Sequence, residues 1–174
     1  MKRGAFTLIE MMVAIVIFSL IVISLYKSYD ALKESNQKYS KITEEMEHLW
    51  RIKRVLYLDF ALTLKSNVKV LNQERNRDIV LLQTSNSIHN RFNPFVAYVV
   101  KNGVLYRLES LYKLHYPFDT QTVADVDRIG KVKRFRIYKA LKKEGQRVIS
   151  YYLIDILFSD KTKILYKIRA LNEV

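Results

Sequence analysis

The chain has 174 residues and no cysteine, so disulfides, thiolate metal sites and cysteine nucleophiles are excluded and any folded domain is held by packing alone. That length gives one domain of ordinary size with a core, plus a non-globular segment. The formal net charge is +13; residues 1–30 carry three Lys/Arg against two Asp/Glu, which leaves +12 on the rest and favours anionic partners such as lipid headgroups, nucleic acid or acidic proteins.

At the N-terminus Met1-Lys2-Arg3 leads into Phe6 to Tyr26, a run whose only charge is Glu10 and whose other polar side chains are Thr7, Ser19 and Ser24. A helix of about 20 apolar residues crosses a bilayer core. Lys2 and Arg3 hold the N-terminus on the cytoplasmic side and place everything after Tyr26 outside, in the periplasm. A secretory signal peptide has the same outline. Its apolar region is shorter, at roughly 7–15 residues, and ends in a small-residue cleavage site that is missing here before Lys27. Glu10 separates the run from an anonymous anchor, because an ionisable group at membrane depth is costly and is kept where it finds a partner.

The stretch Lys2-Arg3-Gly4-Ala5-Phe6-Thr7-Leu8-Ile9-Glu10-Met11-Met12-Val13-Ala14-Ile15 resembles the N-terminal signature of type IV prepilins and type II secretion pseudopilins. The resemblance implies cleavage by a prepilin peptidase on the cytoplasmic side, just before the Phe-Thr-Leu-Ile-Glu run, and N-methylation of the new first residue. Carried over, the cut falls between Ala5 and Phe6, Phe6 is methylated, and Glu10 is the fifth mature residue. The family's usual residue before the cut is Gly, which stands one place earlier as Gly4. A cut between Gly4 and Ala5 makes Ala5 the first residue and Glu10 the sixth, which spoils the spacing. The resemblance also implies its partners: other pilins or pseudopilins through the N-terminal helix, the peptidase and an inner-membrane assembly platform. The carboxylate of Glu10 then meets the N-terminal amine of a neighbouring subunit, each removing the other's desolvation cost and together fixing axial register.

Beyond Tyr26 the apolar residues Leu25, Tyr29, Leu32, Tyr39, Ile42, Met46, Leu49, Leu56 and Phe60 recur by threes, fours and sevens, which predicts continued helix lying on its own sheet. No Gly or Pro interrupts Phe6 to Leu64. A free coiled coil is disfavoured by Asn36 and Lys53 in the seam. After Ser66-Asn67 the period falls towards two. Strands are predicted at Val68 to Leu71, Ile79 to Gln83, Phe95 to Lys101, Val104 to Glu109, Phe135 to Leu141, Val148 to Phe158 and Lys163 to Leu171, with a type I′ hairpin at Asn102-Gly103. In the last hairpin Tyr152, Ile154, Ile156 and Phe158 share a face with Ile164, Tyr166 and Ile168, while Lys163, Lys167 and Arg169 point away. The expected fold class is α+β: a long N-terminal helix packed on an antiparallel β-sheet head. The expected organisation is a leader over residues 1–5, an assembly helix over 6–26, an amphipathic continuation over 27–66 and a periplasmic head over 67–174. A pilin-like arrangement is what the resemblance implies.

Candidate sites beyond the N-terminal segment are weaker. Glu44 and His48 lie one helical turn apart and lack further ligands, as do His89 and His115, so no metal is expected. Asp119, Asp125 and Asp127 fall in an expected loop from Pro117 to Gly130 without the ligand spacing of a calcium loop. Lys131, Lys133, Arg134, Arg136 and Lys139, with Phe135 and Tyr138 among them, have the mixture of cations and rings that grips single-stranded nucleic acid. An alternating half-exposed strand shows the same pattern. With four glycines and no phosphate loop, nucleophile elbow or HExxH, the chain reads as a structural component with no cofactor and not as an enzyme. The leading reading is a minor prepilin or pseudopilin. The alternatives are a DNA-binding subunit of a competence pilus and a single-pass anchor for an unrelated periplasmic domain.

Overall fold

The structure is a computed structural model that describes residues 7–64, 68–119, 122–144 and 147–171. It divides into two compact units, Met1–Leu49 and Trp50–Val174. Within the first, helix α1 begins; the whole of α1 spans Leu8–Ala61. Its N-terminal part is long and apolar enough to cross a membrane. From Thr7 to Leu49 every residue is exposed except Val22, Ser35 and Leu49, which are half-buried.

The spacing from Leu25 to Phe60 predicts an apolar stripe lying on the sheet. Instead Leu25, Tyr29, Leu32, Tyr39, Ile42 and Met46 are exposed, and the buried helical residues are Ile52, Leu56, Asp59, Phe60 and Ala61. All the buried helical residues belong to the second unit, which begins at Trp50.

In the second unit seven strands follow: β1 Lys69–Glu74, β2 Arg77–Gln83, β3 Phe95–Lys101, β4 Val104–Ser110, β5 Asp125–Glu144, β6 Arg147–Phe158 and β7 Lys163–Arg169. They form one sheet in chain order, each antiparallel to the next. Asn102 and Gly103 both have positive φ, as the predicted I′ turn requires. Ile156 faces Ile164, Ile154 faces Tyr166 and Tyr152 faces Ile168, the register expected from their shared apolar face.

The sheet is mixed, not purely antiparallel as expected, because β5 also meets β2 in parallel at Arg77 and Phe135. The cause lies in the length of β5, which begins at Asp125, ten residues before the predicted start. Its first part pairs with β4 and its second with β6. Irregularities near Tyr106 and Arg134 bend it between the two. Gly130 sits at this bend, where an added Cβ would meet the Phe158 ring at 3.1 Å. The Phe135 N–H donates to the Asn76 carbonyl at 2.9 Å and the Ile137 N–H to the buried Asp78 carboxylate at 2.8 Å, so a side chain continues the β2–β5 ladder.

One face of the sheet packs on the end of α1. Phe60 lies 6.1 Å from the Tyr98 ring and 5.4 Å from Tyr152, and Tyr98 lies 6.1 Å from Phe135. The last carbonyls of α1, which have no partner within the helix, are met from outside its ladder. The Thr63 hydroxyl donates to the Asp59 and Phe60 carbonyls, and the Leu171 N–H to Ala61 at 2.8 Å.

Candidate functional site

Helix α1 starts with a local exchange of hydrogen bonds. Thr7 precedes the first helical residue and Glu10 stands three positions later, the spacing of a capping box. The Thr7 N–H donates to Glu10 Oε2 at 2.8 Å, the Thr7 hydroxyl donates to the same oxygen at 2.9 Å, and the Glu10 N–H donates to Thr7 Oγ1 at 3.4 Å. In the single chain the carboxylate therefore satisfies the first N–H of its own helix. Ile9, Val13, Ala14 and Ile17 lie beside it on the exposed surface. Lys2, Arg3, Gly4, Ala5 and Phe6, on which the expected leader charge, both candidate cuts and the expected methylation fall, lie outside the described residues.

A second carboxylate of the same helix has the opposite surroundings. Asp59 is fully buried, as are Arg107 and Glu109 on β4. Arg107 donates to both Asp59 oxygens, from Nε at 2.8 Å and from Nη2 at 3.2 Å, and from Nη1 to Glu109 at 2.5 Å. Asp59 also accepts from the Tyr98 hydroxyl at 2.6 Å and from Asn86 Nδ2 at 2.7 Å. Glu109 accepts from the Ser87 hydroxyl and from the Ile88 and His89 amides. At the rim Asp127 lies 3.7 Å from Arg107 and 3.0 Å from His89 Nε2, and Arg91 pairs with Asp125.

These contacts fix the charge states. Burial raises the Tyr98 pKa and the adjacent Asp59 carboxylate raises it further, so the phenol stays a neutral donor. Burial works against the charge of Arg107, but the hydrogen bonds and charge of Asp59 outweigh it and the guanidinium is held more firmly than usual. Burial likewise opposes the charge of Glu109, yet bonds from Ser87, Arg107 and Ile88 hold its pKa below the ordinary 4.5. The cluster ties the helix end to β3, β4 and the β2–β3 connection. Its chemistry is structural, since each of its buried charges has a partner.

Of the five basic residues Lys131, Lys133, Arg134, Arg136 and Lys139 of β5, the two arginines form ion pairs and the three lysines are exposed. Arg134 is spent on Asp155 at 2.9 Å, and Arg136 on Asp78 at 3.3 Å and on the Arg75 carbonyl at 2.5 Å. The Arg136 guanidinium also covers the Tyr138 ring at 5.4 Å. Lys131, Lys133 and Lys139 are exposed on the same strand. Asp125 and Asp127, expected in a loop, stand instead on β5 opposite Glu109 and Arg107. Asp119 is exposed in the β4–β5 connection, and Glu44 and His48 are exposed on α1. Among the described residues no group of three or more His, Asp or Glu is placed to hold a metal ion.

The leader, the apolar run and the box at Thr7 and Glu10 form one continuous segment. Residues 1–26 match the prokaryotic N-terminal methylation motif. This is the type IV prepilin-like cleavage and methylation signal, and it supports a pilin-like or pseudopilin subunit of a structural class with no catalytic activity attached. Together with the apolar helix it supports a single-pass membrane anchor. It also implies interaction with pilins and with a prepilin peptidase in general. No curated protein and no solved structure gives a match to the chain.

Sequence reasoning found Glu10 and overlooked Asp59, Arg107 and Glu109. A signal was present. Asp59 falls in the core-facing stripe between Leu56 and Phe60, and Arg107 and Glu109 alternate with Leu105 on the buried face of β4.

Proposed function

We propose that the chain is a minor prepilin-like subunit of a type II secretion pseudopilus or type IV pilus. It is inserted in the inner membrane with its N-terminus cytoplasmic and its head periplasmic, and cleaved between Ala5 and Phe6. It is then N-methylated on Phe6 and assembled through α1 on an inner-membrane platform. The observation that carries this reading is the methylation motif over residues 1–26, with Glu10 as the single charge of the apolar run. Glu10 then has two successive partners. In the free subunit its carboxylate accepts from Thr7. In the assembly it meets the N-terminal amine of a neighbour, a charge pair worth more in an apolar surround than the local hydrogen bonds it supplements.

The deciding experiment is the intact mass and N-terminal sequence after co-expression with a prepilin peptidase in membranes. A methylated Phe6 start is expected. A methylated Ala5 start moves the cut to follow Gly4 and keeps the class, and an uncut Met1 sinks the prepilin reading in favour of a plain anchor. Glu10→Ala is expected to leave cleavage intact and to remove the subunit from sheared or cross-linked filaments. Unchanged incorporation would overturn the assembly role.

A further inference from the structure

The face of the sheet turned away from α1 is only partly covered. Over β3 and β4 the β4–β5 connection lies on it, with Leu114 and Phe118 packed on Ala97 and Leu108. That cover stops short of β1. What remains is a cleft of about 250 Å³, floored by Leu71, Leu81 and Phe95 and walled by Leu114, with Lys69 and Lys113 among its lining residues. His115 and Gln83 complete its polar lining, and no described lining residue is a carboxylate.

The cleft borders an open edge. β1 is the first strand of the sheet, and among the described residues no strand pairs with its other side. Edge strands are usually blunted by bulges or charges. Here the irregularity lies between Asn72 and Glu74, so Lys69 to Asn72 pair regularly with β2 and present regular outward N–H and C=O groups. The opposite edge, β7, is fringed by exposed Lys163, Lys167 and Arg169, and the chain just beyond it is tied to α1 through Leu171.

We propose that β1 and this cleft form a docking site for an extended segment of a partner protein in which every second residue, on one face of the strand, is in turn acidic or large and apolar. The segment adds a strand to Lys69–Asn72, its backbone pairing with the free edge. Its apolar side chains lie over Leu71 and Leu81, and its carboxylates meet Lys69 and Lys113. Two features point to this occupant: main-chain groups at the edge call for an extended backbone, and a cationic rim without carboxylates calls for acidic side chains. The site uses no part of the apolar helix, and the outcome of the N-terminal sequencing does not bear on it.

The test uses the full chain in zwitterionic nanodiscs and a labelled short peptide in which every second residue is in turn aspartate or leucine, with threonine between them. Binding is read by fluorescence anisotropy and by amide exchange. The expected result is saturable binding that slows exchange at Lys69 to Asn72. Affinity should fall about tenfold in the Lys69→Glu, Lys113→Glu double variant, both sites being exposed, and should be lost for a peptide with proline at its centre, which cannot complete the ladder. Core amides of β3 and β6 serve as the control that the variant is folded, and Leu71→Asn provides a second, uncharged disruption of the floor. Unchanged affinity in both variants, or binding without protection at β1, overturns the proposal. So does binding of dodecanoate alone with no binding of the peptide, which would make the cleft a site for small amphiphiles.

Discussion

Two of the carboxylates on helix α1, Glu10 and Asp59, stand in contrasting settings. Glu10 is exposed among apolar side chains and is held by Thr7, three residues away. Asp59 is wholly buried and held by Arg107, Tyr98 and Asn86, between 27 and 48 residues away in sequence. The first has local bonds that can be given up, and the second has bonds whose loss strands other charges in the core. One end of the helix is therefore suited to exchange partners and the other to stay fixed on its sheet.

The largest expected effect breaks the fixed end. Asp59→Ala leaves the buried Arg107 guanidinium without its bidentate partner, and removing one member of a buried pair costs about 3–5 kcal/mol. Denaturant unfolding of the full chain in micelles should show that loss. Combining it with Arg107→Met and Glu109→Gln should recover a large part, because Arg107 also pairs with the buried Glu109 and no unpaired charge then remains. A triple variant as unstable as the single one would mean that the hydrogen bonds to Tyr98 and Asn86 carry the energy instead.

Glu109→Gln is a smaller break of the same cluster, on the order of 1–3 kcal/mol, since bonds to a charged acceptor are replaced by weaker or misdirected ones. It also carries a pH signature. The folded pKa of Glu109 lies below its ordinary value of 4.5. The unfolded state therefore binds the proton more readily, and the stability Glu109 supplies is complete above that ordinary value and is lost as pH falls through the lowered one. The gap between wild type and Glu109→Gln should be widest at neutral pH and begin to close as the pH falls below the ordinary 4.5. A gap that does not change with pH would assign the cost to packing.

The contrast between the two carboxylates also explains what the sequence made legible. Glu10 stands out because its apolar neighbours are adjacent in the chain, and the motif is read along one segment. The helix, the Asn102-Gly103 hairpin and the facing Tyr152 to Phe158 and Ile164 to Ile168 surfaces were legible for the same reason: periodicity and turn chemistry are local. Asp59, Arg107 and Glu109 meet only after β4 is placed beside β3 and under the helix, so each looks like an ordinary polar residue in isolation. The early start of β5 was hidden because Asp125, Asp127 and Arg128 read as a solvated loop. Arg91, Arg107 and His89 supply partners that let those aspartates stand on a strand. The ion pairs of Arg136 and Arg134 were hidden for the complementary reason, since Asp78 and Asp155, which meet them, come from other strands.

The smallest effect lies at the exchangeable end and sharpens the comparison. Thr7→Ala removes the hydroxyl that donates to Glu10 and accepts the Glu10 N–H, while leaving the Thr7 backbone N–H in place. Loss of an N-cap side chain costs about 1 kcal/mol, so amide exchange at the first turn of α1 should quicken by roughly fivefold. Thr7→Ser keeps the hydroxyl and should leave exchange unchanged. Neither variant should move the unfolding midpoint of the head, because the cap stabilises only the turn it closes. If Thr7→Ala lowered that midpoint as far as Glu109→Gln does, the two ends of α1 would be energetically coupled, and the division between an exchangeable and a fixed carboxylate would have to be abandoned.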